Sequence, residues 1–325
     1  MRKSSVWITL LLVLGVCCLL PAAAPAQDEL FVMKDSLQIK AHRGAALKGA
    51  RATWWPEVAF TVRGSIPSGG QFEVSFGYPA KRQWLKFDCE SPSQAFGKED
   101  QWKVFCALGP DGVGTYYVGP VDFTINLRNP LTETNTVLYK GKFKAALEPG
   151  YSDEAFYVDD DWRFPIGYVY FREFLTTRFW VRGVPAVQAF LFYQGKEIAK
   201  TSQGGNDNPA DAARYQWGYT EISFSGVYPK KVPDYAADAP NFVVPENPGE
   251  YEIKVLLYRQ LARSIKFTVL PDGTIDNSIA TANHLGIDDA LVPVRVIGTS
   301  TRWNKLAWKT DTFYAHPLTG FTAPP

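Results

Sequence analysis

Polar and apolar residues alternate through most of this chain, most plainly near its carboxyl end. Tyr251, Ile253, Val255 and Leu257 are interleaved with Glu252 and Lys254, and Ile265, Phe267 and Val269 with Ser264, Lys266 and Thr268. A two-residue period puts one face of a strand in a core and the other in water, so the pattern predicts a half-buried antiparallel hairpin. Pro248-Gly249 supplies a turn before its first strand. The break at Arg259-Gln260 lacks the glycine or asparagine that tight hairpin turns prefer. Upstream, the same period predicts strands over 58–64, 71–77, 83–87, 101–106, 121–127, 136–143 and 167–171, separated by Pro, Gly, Asn and Asp. Short strands at this spacing predict an all-β sandwich.

The second half echoes the first. Phe60, Val62, Arg63 and Gly64 recur as Phe179, Val181, Arg182 and Gly183, and Gly119 with its following strand recurs at Gly249. The offset, roughly 120 residues, is the size of a domain rather than of a solenoid repeat. These strand patterns, with the shared Phe-x-Val-Arg-Gly and the Pro-Gly-Glu-Tyr at 248–251, resemble the immunoglobulin-like (fibronectin III-like) modules of exported bacterial proteins. The resemblance implies two tandem immunoglobulin-like β-sandwiches, over 28–146 and 156–270, joined by a turn-rich linker at 147–155. Segments 202–214 and 228–248 are long loops within the second. Residues 271–325 predict a short helix near 276–286, an edge strand near 291–298, and a tail too aromatic to remain solvated, which must dock.

The amino end changes the address. Arg2 and Lys3, an apolar run over 6–20 and small residues through Ala26 form a secretory signal over 1–26, with cleavage after Ala26. Val16 is bulky for the position before a lipidated cysteine, which argues against anchoring through Cys17. Removing Arg2 and Lys3 from 34 basic residues leaves 32 against 33 acidic, so no charge favours nucleic acid or anionic membrane. The later apolar stretch at 164–181 carries Arg172, Glu173 and Arg178, which excludes a transmembrane segment there. Cys89 and Cys106 remain as the mature cysteines, and in an oxidising space they are expected to pair. Their short loop is worth about 3 kcal/mol by chain entropy. It reads as a local staple beside a hairpin, too short for the inter-sheet bridge of antibody domains.

Chemistry is sparse. His42, His284 and His316 have no serine or cysteine neighbour in a nucleophile setting, and phosphate-loop and zinc-protease spacings are absent. Asp159, Asp160 and Asp161 form the densest acidic cluster, a weak calcium candidate because consecutive side chains diverge on an extended strand. Arg63 and Arg182 read as structural strand-end groups. With aromatics at 14%, Trp54 and Trp55 beside Pro56, and Trp303 and Trp308 in the tail, are the rings placed to stack on sugars. The expectation is a non-enzymatic binding or scaffold protein, secreted or periplasmic, that engages another envelope or extracellular protein and needs no cofactor. A polysaccharide-binding module is the alternative, and a hydrolase without a recognisable motif is a third.

Overall fold

The computed structural model describes residues 29–43, 53–108, 114–147, 156–182, 186–201, 217–231, 241–283, 285, 290–297 and 312–319. The signal region, Cys17, Trp303, Trp308, His284, the whole loop 202–214 and residues 232–240 of the loop 228–248 lie outside the described residues.

The protein is all-β, two sandwiches in tandem. In the first, β1 (Phe31–Arg43), β2 (Trp54–Arg63), β6 (Gln101–Cys106) and the two-residue β5 (Ser93–Gln94) form one antiparallel sheet in the order β1-β2-β6-β5. Facing it are β4 (Lys81–Asp88), β3 (Gln71–Tyr78), β7 (Gly119–Asn129), β8 (Thr134–Leu147) and β9 (Phe156–Asp159), also in that order. Val58, Phe60, Val62, Phe72, Val74, Phe76, Phe123 and Ile125 alternate inward from both sheets and close the core.

The second module has a similar strand order, without counterparts of β5 and β9. β10 (Ile166–Phe171), β11 (Leu175–Arg182) and β14 (Trp217–Phe224) form one layer, and β13 (Lys196–Lys200), β12 (Val187–Tyr193), β17 (Gly249–Leu257) and β18 (Gln260–Val269) form the other. The parallel pair β15 (Val227–Tyr228) and β16 (Phe242–Val243) stands apart from both. The repeated residues occupy matching places: Arg63 ends β2 and Arg182 ends β11. Gly119 and Gly249 begin β7 and β17 with φ of 133° and 138°, a region open to glycine and costly for other residues.

Several local expectations are corrected. Residues 156–159 do not open the second module. They pair with Lys144–Leu147 as β9 of the first. The C-terminal strand β19 (Ala290–Val296) is not an edge. Its first half pairs with β10 and its second half with β18, so it joins the second module's layers into one bent eight-stranded sheet. Pro293 is tolerated because it sits at the changeover, paired with Ile166 only. The helix α1 (Ser278–Ala282) is shorter than its pattern.

Cys89 and Cys106 are bonded, with Cα atoms 4.2 Å apart. The bridge is not a local staple. Cys89 lies just past β4, where the chain crosses to β5 in the opposite layer, and Cys106 ends β6 in that layer. Short sequence separation is compatible with an inter-sheet bridge because the crossover itself lies between them.

The β17–β18 turn is Tyr258-Arg259, not Arg259-Gln260, since Leu257 pairs with Gln260. Both turn residues have positive φ, 50° and 66°. This left-handed geometry suits the strand twist but burdens a side chain with a Cβ clash. Replacing Tyr258 by Asn and Arg259 by Gly should therefore stabilise the protein by about 1–2 kcal/mol. A rise in the urea midpoint measures it.

Candidate functional site

Strand register gathers three loops of the first module at one end. Arg63 at the end of β2 pairs with Gln101 at the start of β6, and Gln71 at the start of β3 pairs with Arg128 near the end of β7. The loops 64–70, 95–100 and 130–133 must therefore meet. They are braced to each other. Gly64 N donates to Asp100 O at 2.8 Å, and Arg63 Nε donates to Asp100 Oδ2 at 2.6 Å. Asn129 Nδ2 donates to Ser68 O at 3.0 Å, and Asn129 Oδ1 accepts from Leu131 N at 3.0 Å.

On this braced frame two large apolar side chains face water. Phe96 is 100% exposed and Leu131 is 76% exposed. A single exposed leucine is ordinary, and Leu131 leans on Gly69, but a fully exposed phenylalanine on a fixed loop of the same end costs solvation. Beside them opens a cleft of about 1060 Å³, walled by the start of β1, residues 137–140 of β8, α1 and His316 of the tail.

The residues singled out for chemistry go elsewhere. Trp54 and Trp55 are not in a loop and not exposed. They begin β2, 0% and 9% exposed. Trp54 Nε1 donates to Tyr117 O at 2.7 Å and its ring meets Trp84 edge-on at 5.1 Å, while Trp55 stacks on His42 at 4.7 Å. Neither can stack on a sugar. Trp303 and Trp308 lie outside the described residues. Asp159 faces Lys144 at 3.7 Å, Asp160 is held by Arg163 at 2.5 Å, and Asp161 is buried at the start of a short 3-10 turn. Among the described residues no three potential metal ligands gather. His42 pairs with Glu57 at 2.7 Å and His316 bonds the Lys140 carbonyl at 2.6 Å.

The polar centre that sequence reading missed is Arg163, 2% exposed at the joint of the modules. Its Nη2 donates to Leu37 O and to Tyr314 Oη, both at 2.8 Å. Its guanidinium lies 4.4 Å from the Trp162 ring centre and 4.2 Å from that of Trp180 on β11. One side chain thus touches β1, the tail and the second module. Burial alone would ease its proton off, but Tyr314 and Asp160 outweigh that and hold it more firmly cationic than usual. Burial also pushes the Tyr314 phenol up to about 12. The nearest sequence signal was a charged residue between Trp162 and Phe164, but two of its partners, Leu37 and Tyr314, lie over a hundred residues away in sequence.

No family model and no curated protein matches the chain. Among the described residues, no helix is long and apolar enough to cross a membrane.

Proposed function

We propose that this is an exported, non-catalytic binding or scaffold protein that engages another envelope or extracellular protein through the loop end of its first module. The observation that carries the reading is the exposure of Phe96 and Leu131 on loops fixed by mutual hydrogen bonds. Rigid loops lose little entropy on docking, and buried aromatic anchors dominate contact energies. The inter-sheet disulfide supports an oxidising location.

The test is capture of cross-linked partners from the producing cell's envelope fraction by the wild-type protein and by a Phe96→Ser, Leu131→Ser double variant. Loss of two interface anchors should weaken capture by more than about tenfold while the circular dichroism spectrum is unchanged. Equal capture by both proteins would remove the loop end from the function.

A further inference from the structure

We propose that the open edge of β8 over residues 134–138, with the cleft beside it, takes up an extended acidic strand from the partner protein. This names the form of the partner and rests on the reading above for its biological use; the geometry belongs to β8 alone. β9 covers β8 only from Lys144 to Leu147. The tail takes the next backbone groups, with Lys142 N donating to Tyr314 O at 3.0 Å and His316 Nε2 on Lys140 O at 2.6 Å. Before Lys140, no described strand is hydrogen-bonded to that side of β8, and β1 stands across the cleft from it.

An unpaired edge is a template for another strand unless it is short, bulged away, charged inward or covered. Residues 134–137 pair with β7 in unbroken register up to a bulge at Leu138; the segment carries no proline and no charge, and Val137 is 48% exposed. The adjoining cleft, about 1060 Å³, has room for the side chains of an added peptide. Strand addition supplies main-chain hydrogen bonds for affinity and leaves alternate side chains for selection.

Charge commits the occupant to an acidic one. Lys34 and Lys140 stand on the two walls with no carboxylate partner among the described residues, whereas Arg63 is already neutralised by Asp100 at 2.6 Å. Glu29 is the one lining carboxylate left against them. Phe31 and Val137 offer apolar contact to the residues between the acidic ones.

The probes are a short fluorescein-labelled peptide alternating glutamate with valine, its lysine–valine counterpart, and the first peptide N-methylated at alternate residues. Anisotropy on the full mature chain should show saturable binding of the glutamate–valine peptide, and at least about tenfold weaker binding of the other two. A Lys34→Glu, Lys140→Glu variant should lose about tenfold in affinity for the acidic peptide. Amide hydrogen exchange over 134–138 should slow several-fold when that peptide binds. The Phe96→Ser, Leu131→Ser variant should keep peptide affinity, which separates the edge from the loop end. No saturable binding, equal binding of the lysine–valine or N-methylated peptide, protection confined elsewhere, or self-association through 134–138 would overturn the proposal.

Discussion

Replacing Arg163 with alanine is expected to cost about 3–5 kcal/mol of stability, a large share of the 5–15 kcal/mol that holds a typical domain. The side chain is buried on all sides, and its removal takes the guanidinium from the Asp160 carboxylate, the Leu37 carbonyl and the Tyr314 hydroxyl. The buried carboxylate's loss of its ion pair is the costliest of these. A double variant, Arg163→Met with Asp160→Leu, should therefore recover much of the loss, because exchanging a buried ion pair for apolar volume is often close to neutral. Urea unfolding followed by tryptophan fluorescence reads both. Arg163 also bridges β1, the tail and β11, so the single variant should unfold in two transitions where the wild type shows one. An Arg163→Ala change under about 1 kcal/mol would mean that water already serves these groups.

The strands were legible because their physics is local. A side chain's face is fixed by its parity along the strand: residues 58–62 and 251–255 keep that parity without interruption, and 72–76 and 121–127 break it only at the buried Glu73 and Asn126. Misreadings fall where a local signal has a non-local remedy. Two adjacent tryptophans followed by proline look like a loop, since neighbours on a strand point opposite ways and proline breaks ladders. Here Trp54 enters the core and Trp55 is covered from outside by His42. Pro56 pairs only with Ala41, because β6 does not reach β2 before Val58. The disulfide's crossing, the two-sided pairing of β19 and the place where the tail docks are all set by contacts between distant residues, which no periodicity encodes.

Much of the candidate site was equally hidden. Loop tips are assigned to an end of a sandwich by register, and register between β2 and β6 or β3 and β7 is a tertiary fact. Phe96 stands in a run of small and charged residues with nothing to mark it out. Only its exposure does.

Replacing Tyr314 with alanine is expected to cost about 3–5 kcal/mol, comparable to the Arg163 change but for a different reason. Tyr314 is 1% exposed, packs edge-on against Phe123 at 5.9 Å and Trp162 at 5.5 Å, and accepts from Ile39 N at 3.2 Å. It sits in a turn where Phe313, Tyr314 and Ala315 all have positive φ, at 47°, 58° and 82°. Each such residue costs about 1–2 kcal/mol, so the packing and hydrogen bonds of this turn work against standing backbone strain. It follows that Ala315→Gly, which relieves strain and removes only a methyl group, should stabilise the protein by about 1 kcal/mol while Tyr314→Ala unseats the tail. The phenol adds a pH signature. Its folded pKa, about 12, lies above the ordinary value of 10.0. Between those values the unfolded chain has released a proton that the folded chain keeps, so stability is full below about pH 10 and declines as pH rises toward 12. Tyr314→Phe removes this contribution and should flatten the alkaline decline, though not abolish it, because burial raises Tyr139 as well. A decline of equal slope in wild type and Tyr314→Phe would place the proton elsewhere and weaken the assignment of the tail's anchor to this hydroxyl.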